Sequence, residues 1–148
     1  MTGIVHFLEQ HSDEFINYWI SSYYVESKEY QMRKDTPGFL DAQYREASQL
    51  FSQALKKYGT EEVTASMKDI GEDRRDMNTP WKDIYLSHFS FYTALTEFIV
   101  VHYKKHTLDC PLDEFLDSLI ELRRIEALSS SELYDGYEYE ANQKVLNR

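Results

Sequence analysis

The chain reads as an all-helical, single domain of 148 residues. Three observations carry that reading. Capping residues recur at helix-length intervals, apolar side chains repeat every three to four positions between them, and no stretch alternates apolar and polar residues as a half-buried strand would. Five glycines and three prolines leave little turn chemistry for a β fold. With 42% hydrophobic and 15% aromatic residues the chain has ample material for one core.

In the first segment, Gly3 to Gln10 forms a helical turn or two leading to Ser12, a cap followed by the acidic first turn Asp13-Glu14. Phe15, Ile16, Trp19, Ile20, Tyr23 and Tyr24 then give a broad apolar face. A charged loop is expected from Glu26 to Asp35. Thr36-Pro37 opens a helix with a stripe from Phe39 through Tyr44, Ala47, Leu50 and Phe51 to Tyr58, closed by Gly59. Thr60-Glu61-Glu62 starts the next one. Val63, Met67 and Ile70 are its only anchors before the run Glu72-Asp73-Arg74-Arg75-Asp76, so it is expected at the surface, the most mobile of the helices.

Thr79-Pro80 opens the most apolar segment. No residue from Ile84 to Thr96 carries a formal charge, and its aromatic and aliphatic side chains cover nearly the whole circumference, which predicts a helix buried on all sides. Cys110-Pro111 starts a helix that ends near Arg123-Arg124, and Ser129-Ser130-Ser131-Glu132 offers a capping box for a last helix with Leu133, Tyr134 and Tyr137.

Composition narrows the function. A net charge of −10 disfavours nucleic acid or an anionic membrane as the main partner. Cys110 is alone, so no intrachain disulfide forms. Neither a membrane-spanning run nor a signal peptide is read from the sequence, and a cytoplasmic location without membrane insertion is the expectation. The phosphate-cradling glycine loop, the nucleophile elbow and the paired-histidine zinc motif are missing, so neither an enzyme nor a catalytic residue is expected.

Each of the five histidines has a plain structural role as the alternative to a chemical one. His102, His106 and Cys110 repeat at the i, i+4 spacing that zinc would need, but Pro111 starts a new helix and turns Cys110 away, so no metal site is expected. His102 or His88 as a phosphorylated histidine would make a phosphotransfer module. His88 as an axial haem ligand would make a globin gas sensor. Its structural role would be a core histidine satisfied by a hydroxyl. Twelve tyrosines and eight phenylalanines packed between crossing helices also suggest a narrow apolar pocket with one polar end.

Ile84-Tyr85-Leu86-Ser87, Thr93-Ala94-Leu95-Thr96-Glu97-Phe98 and Tyr103 resemble the central helix of the amino-terminal sensor domains of RsbR-type stressosome proteins. Phe7-Leu8-Glu9 with Phe15, Ile16 and Trp19 resembles the opening helices of those domains, and Glu132-Leu133-Tyr134-Asp135 with Tyr137 resembles the exit helix. Within that group the chain is most similar to the stand-alone sporulation inhibitory proteins of bacilli, related to the sensor domain of a sporulation histidine kinase. The resemblance implies a dimeric, globin-like helical fold without haem, with a fatty acid in its pocket and a small anion such as chloride in an adjoining chamber.

Ending at Arg148, where the exit helix of such a sensor would lead into an output domain, the chain is expected to inhibit sporulation signalling. It would do so by competing for ligand or by pairing with the kinase's sensor through the central and carboxy-terminal helices, with Tyr134 and Tyr137 on that face. The inward stripes nominate Trp19, Tyr23, Tyr44, Leu86, Phe89 and Tyr92 as pocket walls, with His88 and Arg45 as donors at the polar end. Glu97, deep in the apolar helix, must reach a partner or carry a raised pKa.

Overall fold

Seven α-helices and one 3₁₀ turn account for the fold of this computed structural model, which describes residues 2–55 and 61–146. They are α1 (Thr2–Gln10), α2 (Ser12–Ser22), a 3₁₀ turn (Tyr24–Glu26), α3 (Lys28–Arg33), α4 (Phe39–Leu55), α5 (Glu61–Asp76), α6 (Trp81–Lys104) and α7 (Leu112–Leu146). The described residues contain no strand, so the all-helical class holds.

The core forms where α2, α4 and α6 meet. Phe15 sits at its centre, with ring centroids 5.4 Å from Phe51, 5.3 Å from Phe91 and 5.6 Å from Phe98. Trp19 continues the cluster edge-on to Phe91 and hydrogen-bonds Ser90 through its indole N–H at 3.1 Å. Edge-to-face pairs of this kind contribute about 0.5–1.5 kcal/mol each beyond their buried area.

Expectations for several elements need correction. The charged stretch from Glu26 to Asp35 contains α3, because the Ser27 hydroxyl accepts from the Tyr30 N–H at 3.1 Å and caps it. At α2 the cap position is His11 rather than Ser12. Helix α4 begins at Phe39, two residues beyond Pro37, after a turn in which Gly38 takes a positive φ of 79°. The expected stop at Gly59 lies outside the described residues.

Helix α5 shows Lys68, Asp69, Asp73 and Asp76 to solvent, as expected of a surface helix, but its inner side is tightly packed. It crosses α7 so closely that a Cβ on Gly71 would stand 2.1 Å from the Leu133 carbonyl oxygen, and one on Gly136 would stand 2.0 Å from that of Lys68. Finally, the last two expected helices are one. Ser129 does not open a new helix, because its hydroxyl donates back to the Glu126 carbonyl at 3.1 Å, as Ser118 does to Glu114 at 2.7 Å, and the helix runs on.

Helices α6 and α7 run antiparallel. Trp81 lies 5.1 Å from Tyr134 at one end, His88 meets Ser129, and Tyr103 stacks on Phe115 at 4.1 Å at the other. Only one side of α6 is buried, through Ile84, His88, Phe91, Tyr92, Leu95, Phe98 and Ile99. Tyr85, Leu86, Phe89 and Val101 stand in the open at 42–50% exposure, against the expectation of a helix enclosed on every side.

Candidate functional site

Two features stand out, a small internal cavity with a charged wall and an apolar outer face on α6 and α7. The cavity measures about 50 Å³ and is walled by Trp19, Tyr24, Glu29, Glu46, Arg74 and His88, with Gln43, Ser87 and aliphatic side chains closing the rest. A few water molecules fill such a space. Ligand pockets begin at about 300 Å³, so neither an acyl chain nor haem fits it.

Arg74 organises the charged wall. Met67, Ile70 and Arg74 follow one another at i, i+3, i+7 on α5, which turns the guanidinium inward with the apolar ridge. Its Nε reaches Glu29 at 2.6 Å and an Nη reaches Glu46, while the other Nη touches Asp73 at 2.8 Å. Tyr24 donates to Glu29 at 3.0 Å. Burial alone favours the neutral guanidine, yet Glu46 and Glu29 together outweigh it and keep Arg74 charged. Burial raises the pKa of Glu29, with Arg74 and the Tyr24 hydroxyl opposing it. Three carboxylates, Glu29, Glu46 and Asp73, gather on Arg74, and Arg33 adds a second guanidinium 3.5 Å from Glu29, so the cations of this wall are already paired and make a poor seat for an anion.

His88 faces the same cavity as a core residue. The Ser129 hydroxyl donates its proton to Glu126, so the His88 ring donates through Nε2 to Ser129 Oγ at 2.8 Å. Burial pulls its pKa down to about 4. A neutral, enclosed imidazole of this kind neither clamps an anion nor meets a phosphoryl donor.

Of the expected pocket walls, the structure brings Trp19 together with His88 at the cavity and disperses the others. Tyr92 is buried against His88 at 5.2 Å between centroids, behind the cavity wall, and its hydroxyl makes no hydrogen bond. Burial pushes its pKa up to about 12. Tyr23 turns the other way and donates to Glu97 at 2.5 Å, and Tyr44 bonds Asp13 at 2.6 Å near the surface. Leu86 and Phe89 point outward and Arg45 is exposed, so none of the three meets the cavity.

The residues missed by sequence reasoning are Tyr24, Glu29, Glu46 and Arg74. For Arg74 the signal was present in its register with Met67 and Ile70, hidden by the charged run around it. Glu97 does reach partners, accepting from Tyr18 at 2.6 Å as well as from Tyr23.

No zinc site forms from His102, His106 and Cys110. His102 Nδ1 is taken by Thr107 at 2.7 Å, and His106 adopts a positive φ of 61° as the chain leaves α6. Among the described residues no group of three suitable side chains converges on a metal position.

The outer face is apolar at both ends of the α6–α7 pair. Leu112, Leu116 and Ile120 form an i, i+4 ridge on α7, each between 47% and 55% exposed. At the other end Tyr85 and Phe89 stack at 6.3 Å beside Trp81 and Tyr134, with Leu86 next to them. Searches of protein-family models, curated proteins and solved structures find no match to this chain.

Proposed function

We propose that this chain is a regulatory helical domain that inhibits sporulation signalling by pairing through the α6–α7 face, with a second copy of itself and with the sensor domain of a sporulation histidine kinase. The observation that carries the reading is the row of large apolar side chains left in water on that face. Isolated exposed apolar residues need no explanation, but an i, i+4 ridge along one long helix is the pattern that a partner helix packs into. α7 alone spans about 52 Å at 1.5 Å per residue, long enough for an interface of ordinary size.

The resemblance of the central and exit helices to RsbR-type sensor domains supplies the partner class, and with it a globin-like fold that holds no haem. The small cavity favours pairing over capture of a fatty acid or chloride. Analytical ultracentrifugation of the chain, together with pull-down of the kinase sensor domain, tests this. Wild type should sediment as a dimer and retain the kinase sensor, whereas Leu116→Glu combined with Phe89→Glu should be monomeric, folded and unable to retain it. A wild-type monomer at high micromolar concentration that captures no kinase sensor overturns the proposal, and release of a fatty acid from the native protein would restore ligand capture.

A further inference from the structure

Helix α3 closes the internal cavity yet takes little part in the apolar core. Of its residues only Glu29 is buried; Tyr30 is half-buried, its ring centroid 6.0 Å from that of Tyr24, and Met32 stands 76% exposed. Glu29 is also the one α3 residue on the cavity wall. The same space is lined by Trp19, Ala47 and His88, all of them buried.

Polar groups from the rest of the chain hold the helix down. At its start the Asp83 carboxylate of α6 accepts from the Lys28 N–H at 3.1 Å and from the Glu29 N–H at 3.2 Å. At its end Arg33 donates to the Met77 carbonyl at 2.8 Å and to the Thr79 hydroxyl at 3.4 Å. Between them Glu29 meets Arg74 at 2.6 Å and accepts from Tyr24 at 3.0 Å. Hydrogen bonds can be exchanged for bonds to water at small net cost, whereas lost apolar burial has no such replacement. A segment with few buried apolar contacts therefore opens before the domain unfolds. The flanks allow it. Ser27 is extended at φ −72° and ψ 152°, and residues 34–38 are all exposed, ending in Gly38 at φ 79° with open space where a Cβ would stand.

We propose that α3 is a lid on the cavity: it swings out as a unit about Ser27 and Gly38 while the core helices stay folded, and its opening is the route by which water and small solutes reach Trp19, Ala47 and His88. Asp83 and Arg33 are the latches at its two ends. Opening carries Glu29 out with the helix and leaves Arg74 with Glu46 and Asp73, so the guanidinium keeps its charge partners. The competing account makes α3 an integral part of the fold, with the cavity reached only when the whole domain unfolds.

Native-state hydrogen exchange of the full chain, at zero and low urea, follows the amides of Lys28, Glu29, Gln31 and Lys34 against those on the buried side of α6. Entry to the cavity is read separately, from the rate at which methyl methanethiosulfonate, a small thiol reagent, labels the Ala47→Cys thiol in a Cys110→Ser background. The α3 amides should exchange together, about a hundredfold faster than the α6 reference and with little dependence on urea, and the thiol should be labelled through the same opening. Asp83→Ala removes two hydrogen bonds from the start of α3 and should raise both α3 exchange and thiol labelling about tenfold relative to α6. A general loss of stability would move all three alike. Met32→Ala, on the exposed side, should change neither readout. Three results would each overturn the lid: α3 amides that share the urea dependence of α6, equal acceleration of α3, α6 and labelling in Asp83→Ala, or faster α3 exchange in that variant with labelling unchanged.

Discussion

Substitution of Gly136 by alanine isolates what the α5–α7 crossing contributes. In an exposed helix the change would stabilise by about 1 kcal/mol, because alanine is the better helix former. Here the added Cβ meets the Lys68 carbonyl oxygen at 2.0 Å, whereas ordinary contact starts near 3.4 Å, a shortfall of about 1.4 Å. The obstacle is backbone, which no rotamer change removes, so the helices must part. A gap of 0.5–1 Å already forfeits a quarter to a half of each dispersion contact. Met67 and Leu133, both buried where these helices meet, lie directly in the path of that loss. Overpacking of this kind costs about 1–3 kcal/mol and occasionally more, and a displacement this large belongs at the upper end, about 3 kcal/mol net of the propensity gain. Urea unfolding followed by circular dichroism measures it, the loss being read from the midpoint at constant slope. Gly3→Ala is the control, since its nearest neighbour would be at 3.5 Å and the change should be neutral or mildly stabilising. Gly71 meets the same crossing through Leu133 and Tyr137, so the Gly71→Ala, Gly136→Ala double variant should lose less than the sum of the two. Equal gains of stability at Gly3 and Gly136 would refute the close crossing.

Other outcomes follow from the buried charges. His88 has a folded pKa of about 4 against 6.5 unfolded, so its effect on stability is absent above the unfolded value. As pH falls from 6.5 towards 4 the unfolded chain takes a proton that the native ring refuses, and stability drops by about 3 kcal/mol; His88→Gln should remove that slope in urea titrations at a series of pH values. Arg74→Met takes the guanidinium from Glu46 and leaves Glu29 with Arg33 at 3.5 Å and the Tyr24 hydroxyl, so it should cost about 3 kcal/mol, the lower end for a broken buried pair, at neutral pH by the same assay. Because Glu29 already has a raised pKa, its protonation relieves the weakly paired charge, so the Arg74→Met deficit should shrink in acid; a deficit constant with pH would contradict the charge network.

How much of this was legible in the sequence depended on whether the signal was periodic. Apolar repeats placed α2, α4 and α6 and the Phe15, Trp19 and Phe91 core, because a 3.6-residue period reports a buried face directly. The same rule failed for α6, where apolar residues on every side leave no contrast to show which side is inward; Leu86 and Phe89 therefore read as pocket walls when they face out. Serines at Ser129 to Ser131 resemble a cap, but a hydroxyl bonding its own preceding turn lets a helix continue, and only tertiary contact decides between the two. Gly71 and Gly136 gave no signal, since a glycine inside a helix reads as a mild cost until the crossing partner is known. Glu29, Glu46 and Arg74 come from three helices, and no spacing along one helix can reveal a contact among three.

The position of the charged wall bears on how such a domain would answer a partner. Glu29 of α3, Glu46 of α4 and Arg74 of α5 meet at the cavity, and α5 in turn crosses α7, whose outer ridge carries Leu112, Leu116 and Ile120. A change at the ridge can reach the cavity through the backbone-to-backbone crossing at Gly71 and Gly136, where no Cβ separates the two helices, and through Leu133 and the Ser129–His88 hydrogen bond, which join α7 to the cavity wall directly. Coupling would then be stiff. Partner binding at the α6–α7 face should protect the amides of α5 as well as those of α6 and α7 from hydrogen exchange, and Gly136→Ala should lose the α5 protection while keeping that of α7. Protection confined to α6 and α7 in the wild type would mean that the crossing serves stability alone.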